Sequence, residues 1–180
     1  MSLNLLLRGI KVMYLVLSGL IVGIGATALM DIFAVFQKKV FSVTPPNWCS
    51  VGRWIGYLPR GQFSHQSIAK TPSIKGECTI GWIAHYLIGI IFGTTLFLLM
   101  GAEWARQPTL FPALTFGLIT VFFPFFIMQP SLGLGIAASK TPKPNQARLR
   151  SLLNHFVFGV GLYVFALILA KIIESINYLN

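Results

Sequence analysis

The sequence predicts an all-α integral membrane protein with four transmembrane helices. Of its 180 residues, 55% are hydrophobic and 10% charged, against roughly 25% charged in an ordinary soluble domain. Four stretches reach the ~20 apolar residues that a helix rising ~1.5 Å per residue needs to cross a ~30 Å hydrocarbon core. Likeness between pairs of these stretches arranges them as two repeated helical hairpins. The expected helices cover about residues 12–36, 79–100, 109–130 and 151–173, in a single membrane domain spanning 1–180.

The first segment, Val12 to Met30, has no ionisable group except Tyr14 and runs on as apolar sequence past Asp31 to Phe36. Arg8, Lys11, the apolar run and "ATA" at Ala26 to Ala28 also resemble a cleavable signal peptide. The run-on beyond that site favours a retained helix. The loop that follows is patterned: in "PPNWCSVGRWIGYLPRGQF", Trp48, Val51, Trp54, Ile55 and Leu58 recur at steps of three and four, the period of one helical face. Tryptophan favours the headgroup zone, so about 47–58 reads as a short interfacial amphipathic helix ended by Pro59.

The second, third and fourth segments, Thr79 to Met100, Thr109 to Pro130 and Ser151 to Ala170, contain no Asp, Glu, Lys or Arg. Pro124 interrupts the third. Its missing N–H frees the carbonyl of Thr120 and predicts a bend near "VFFPFF".

Lys38, Lys39, Arg53, Arg60, Lys70 and Lys75 in the first long loop, with Lys140, Lys143, Arg148 and Arg150 in the second, outnumber Arg8, Lys11, Arg106 and Lys171 on the other side. The positive-inside rule therefore puts both loops in the cytoplasm and both termini outside. Cys49 and Cys78 fall on that cytoplasmic side, where thiols stay reduced, and read as structural residues. The net charge of +10 gathers at helix ends, where anionic headgroups attract each cation by about 1 kcal/mol. Membrane lipids are thus the expected partners, with Arg53, Arg60, Arg148 and Arg150 as contacts for anionic groups, and nucleic acid is not.

"HYLIGIIF" from His85 and "HFVFGVGL" from His155 both read histidine, aromatic, two apolar residues, glycine. "GLI" begins at Gly19 and Gly117, and each is followed by Met-Asp or Met-Gln, ending at Asp31 and Gln129. Helices one and three therefore resemble each other, as do two and four. Asp31, His85 and His155 each fall roughly 8–12 Å inside the loop-side boundary, and Gln129 ends its helix on the same side. Small residues recur every four positions beside them: Gly81, Gly89 and Gly93 around His85; Gly19, Gly23 and Thr27 before Asp31; Ser151 and Gly159 around His155. Such faces meet other helices, so this polar layer should point into the bundle.

An ionisable residue within the membrane is a functional candidate. Asp31, His85, His155 and Gln129 are candidates for binding or proton relay in a small solute- or proton-coupled transport protein, for which a homodimer would supply a wider scaffold. Alternatively, His85 and His155 could hold a haem, or a redox metal with Asp31 as third ligand. A ligand-free polar layer that only locks the helices together is the plainest alternative. Catalysis is the weakest expectation: Ser151 and His155 share a helix face, but nothing orients that histidine or supplies an oxyanion hole.

The blocks "NWCSVGRWIGYLPRGQF", "GWIAHYLIGIIFG", "PFFIMQPSLGLGIAASKTPKP" and "RLRSLLNHFVFGVGLY" resemble a bacterial inner-membrane family known as domain of unknown function 2938. The resemblance runs from about Gly23 to the last helix. It implies a four-helix, multi-pass protein of the bacterial inner membrane and carries no activity, ligand or catalytic residue with it. His65, in the first loop, is expected to be a solvated histidine.

Overall fold

The computed structural model describes residues 2–179. Its helices are α1 (Ser2–Phe41), α2 (Trp48–Tyr57), α3 (Glu77–Arg106), α4 (Leu110–Ile119), a short α5 (Gln129–Ser131) and α6 (Pro144–Leu179). Four segments are long and apolar enough to span a membrane: Asn4–Phe41, Glu77–Arg106, Leu110–Ser131 and Pro144–Tyr178. The outer helices overrun their apolar windows, because hydropathy marks what lipid can cover while helical hydrogen bonding continues into polar flanks. Proline opens α6, where its missing N–H costs nothing.

Close backbone contact sets the packing. A Cβ on Gly19 or Gly23 of α1 would run into the α3 backbone at Gly93–Thr94 or Gly89–Ile90, and one on Gly117 of α4 into Gly159 of α6. The same logic joins the pairs, since Gly161 of α6 lies against Ala26 of α1. Between α3 and the third span, side chains meet: the Phe92 ring lies 6.4 Å from Phe116 of α4 and 5.1 Å from Phe123 beyond it. Val22, Ala26, Leu96, Phe97, Ala113 and Leu162 form the buried centre.

The expected bend at Pro124 takes a specific form. The helix loosens after Ile119 and continues as a π-helical turn over Pro124–Met128. The Thr120 carbonyl that Pro124 cannot bond is taken instead by the Phe123 N–H at 3.1 Å, so the proline leaves no orphan there. At the other end, α3 breaks at Gly101, whose φ of 76° only glycine adopts at no cost.

α2 begins where Asn47 caps it, its side chain accepting from the Ser50 N–H at 3.3 Å. The helix crosses the start of α3 so tightly that a Cβ on Gly52 would strike the Glu77 carbonyl, and one on Gly81 the Trp48 carbonyl. Its apolar face meets protein: Val51 packs with Ile68 and Leu132, flanked by Trp48, Trp54, Ile55, Met128 and Leu134. The two long loops also join through backbone bonds, His65 N–H to the Ser131 carbonyl at 2.8 Å and Ile68 N–H to Leu132 at 3.1 Å.

Candidate functional site

Asp31 and His85 meet. The imidazole Nε2 lies 3.0 Å from the Asp31 Oδ1 across the α1–α3 contact, and His85 is 6% exposed. A carboxylate can only accept, so Nε2 carries the proton and donates. The Trp48 ring of α2 stacks on His85 with centroids 3.8 Å apart, and Trp82 and Tyr86 stand edge-on to it at 5.9 and 5.5 Å. The imidazole is thereby held between a carboxylate and an aromatic lid. Beside the lid, Lys38, Pro46, Trp48, Cys49 and Trp82 line an open cleft of about 590 Å³.

His155 has a different partner. Its Nδ1 is 2.8 Å from the buried Thr120 hydroxyl, which itself donates to the Gly117 carbonyl at 2.6 Å. With its one hydrogen spent, that hydroxyl must accept from His155, fixing the proton on Nδ1. The Thr120 side chain, which sequence reasoning passed over, thus positions the second histidine. Only its place beside the proline-broken turn could have signalled it.

Depth follows from the packing of Ala26 on Gly161. Asp31 lies five residues beyond Ala26 toward the loops and His155 six beyond Gly161 on the antiparallel helix, rises of roughly 8 and 9 Å. Gln129 joins the layer one turn further out, its Nε2 donating to Ser151 Oγ at 3.3 Å.

Among the described residues, four buried side-chain atoms have no hydrogen-bond partner: Asp31 Oδ2, Gln129 Oε1, Asn154 Oδ1 and His65 Nε2. The first three are acceptor oxygens, and Asp31 and Gln129 belong to the layer. Burying an unpaired polar group costs roughly 1–3 kcal/mol. No group of three or more His, Cys, Asp or Glu side chains is gathered to hold a metal ion among the described residues.

The four arginines divide. Arg53 donates to both Glu77 oxygens at 2.8 and 2.7 Å and to the Ile68 and Thr71 carbonyls at 3.1 and 2.8 Å. Its hydrogen bond to Glu77 raises its pKa from an already high value, so it stays charged. Arg148 donates to the Ala137 carbonyl and Asn145 Oδ1. Both therefore hold the loops together. Arg60 is exposed, over the Tyr57 ring at 4.9 Å, and Arg150 is half-buried. His65 also departs from expectation: it is half-buried, with Nδ1 3.1 Å from the Thr71 hydroxyl and its ring edge-on to Tyr57.

Cys49 and Cys78 are bonded to each other as a disulfide. The expected reduced thiols are corrected by their placement: each is the second residue of its helix, and the glycine crossing of α2 on α3 brings them together.

A family model described as a protein of unknown function, DUF2938, matches residues 20–169. The chain belongs to that family. No curated protein and no solved structure matches it. The DUF2938 match takes in Asp31, both cysteines, His85, Thr120, Gln129 and His155, so the whole layer lies within the family's domain.

Proposed function

We propose that this DUF2938 protein is a small proton- or cation-coupled transport protein of the bacterial inner membrane, with the Asp31–His85 pair as its titratable centre. The observation that carries this is the set of unpartnered acceptors, Asp31 Oδ2, Gln129 Oε1 and Asn154 Oδ1, on the loop side of the bundle. Acceptor oxygens beside a carboxylate–imidazole pair suit a proton-bearing or cationic solute. Trp48 over His85 supplies a lid, and the π-turn at Pro124–Met128 supplies a deformable segment. The hairpins read as repeats of one unit, supported by the glycine crossings Gly23 on Gly89 and Gly117 on Gly159. A homodimer would widen this narrow scaffold, and lipids would cover its apolar exterior.

Haem ligation by His85 and His155 is the rival, favoured by the similar depth of the two histidines in the bundle. One preparation tests both. Purified protein in liposomes loaded with a pH-sensitive dye, under an imposed potential, should pass protons or a co-supplied monovalent cation at least tenfold above empty liposomes, and Asp31→Asn should remove the flux. Folded protein with no flux overturns transport. A Soret band in the same sample, lost in both His85→Ala and His155→Ala, would replace it with the haem function.

A further inference from the structure

The disulfide bears on the direction in which the bundle lies in the membrane. Counting Lys and Arg places both long loops in the cytoplasm, a reducing compartment where protein disulfides are rare. Yet the two sulfurs are joined, and the surroundings favour their joining. Cys49 and Cys78 are the second residues of α2 and α3, and each helix N-terminus favours the thiolate, the reactive form of the residue. The elements that carry them cannot drift apart easily: Gly52 and Gly81 let the backbones touch, and the Arg53–Glu77 pair spans the same crossing. Two activated thiols held in contact close wherever a disulfide donor is available.

We propose that the Cys49–Cys78 disulfide forms in the cell, and that the face carrying α2 and both long loops lies on the oxidising side of the membrane. The α3–α4 turn and the outer ends of α1 and α6 are then cytoplasmic. Closure is an exchange with a donor protein disulfide. The Cys49 thiolate attacks one donor sulfur, Cys78 displaces the donor from the mixed disulfide, and the donor leaves as a dithiol carrying two electrons and both protons. Arg8 and Lys11, near the N-terminal end of the first span, agree with this direction, since the first helix usually dominates orientation. The cleft beside Trp48 would open outward. With Cys49 adjacent to Trp48, the disulfide fastens the aromatic lid over His85. None of this depends on whether the layer moves protons.

The experiment uses spheroplasts expressing the full chain, with free thiols blocked at harvest by a permeant alkylator. After a membrane-impermeant phosphine reductant, an impermeant maleimide-polyethylene glycol should add two mass tags to most of the protein; without reductant it should add none. Free thiols trapped at harvest, or tagging that appears only after lysis, would overturn the proposal. In a Cys49→Ser, Cys78→Ser background, the same reagent should label Gln62→Cys in the first loop and not Gln107→Cys at the α3–α4 turn; the reverse pattern overturns the orientation. Should that background fail to fold, green fluorescent protein fused after α6 in the native chain decides, because it fluoresces only in the cytoplasm. A fluorescent fusion supports the orientation and a dark one at equal expression overturns it.

Discussion

In the α1–α3 hairpin the buried imidazole meets a carboxylate; in the α4–α6 hairpin it meets a hydroxyl. His85 donates to Asp31, lies under Trp48 and sits beside a helix crossing fastened by a disulfide. His155 donates to a threonine whose own hydrogen is committed to a backbone carbonyl. Two histidines in matching sequence contexts thus have different chemistry. Two interacting ionisable groups take up and release protons as a pair. A histidine held by a committed hydroxyl keeps one tautomer. Any titration that matters to function should reside in the first hairpin, and the second should serve as its scaffold.

The sharpest way to break this comparison is at the positions four residues before each histidine. Gly81 lies against the Trp48 carbonyl, a rigid backbone atom, whereas Ser151 already carries a side chain, bonded to Gln129. Gly81→Leu should drive α2 off α3 and cost about 3 kcal/mol or more, above the usual range for overpacking because no flexible side chain can yield. Ser151→Leu should cost about 1 kcal/mol. Thermal unfolding in detergent measures both. Equal losses would mean that the second hairpin is as tightly fastened as the first.

Next in size is the pair itself. Asp31→Ala leaves a buried imidazole donor without its acceptor and should cost about 1–3 kcal/mol. Asp31→Asn keeps an acceptor oxygen in place and should cost less than half as much, so the two variants separate stability from titration. If Asp31→Asn unfolds the protein as readily as Asp31→Ala, the carboxylate's charge is structural and the proton-binding role fails.

How far the sequence led depends on the kind of force involved. The four spans were legible because lipid imposes a length and a composition on every residue of a crossing helix. The facing of His85 was legible because Gly81, Gly89 and Gly93 repeat at helical spacing, and small residues mark close contact. The partner of His155 was not, since Thr120 lies outside any periodic pattern and meets the histidine only after the chain loosens ahead of Pro124. Nor was the destination of Arg53. Its bond to Glu77 spans 24 residues, and an arginine among tryptophans in sequence looks equally suited to a headgroup. The apolar face of α2 shows a limit of a related kind: amphipathic periodicity reports that one face is covered, and here Val51 on that face packs with Ile68 and Leu132. The disulfide was not legible because the Lys and Arg count set both cysteines in a compartment where thiols stay reduced.

The smallest effect discriminates most finely. Thr120→Val removes the acceptor for His155 Nδ1–H while keeping the shape, and should cost about 1 kcal/mol. Adding His155→Leu removes the stranded donor as well, so the double variant should recover most of that loss, because replacing both members of a buried pair with apolar groups can be nearly neutral. Thermal unfolding of the two single variants and the double gives their coupling directly. The corresponding change in the first hairpin, Asp31→Val with His85→Leu, can also be stable, yet it should abolish flux in liposomes. Stability alone therefore cannot tell the two pairs apart, whereas flux should. A Thr120→Val, His155→Leu protein that folds normally but no longer conducts would show that the titratable site reaches across both hairpins, with His155 as one of its working members.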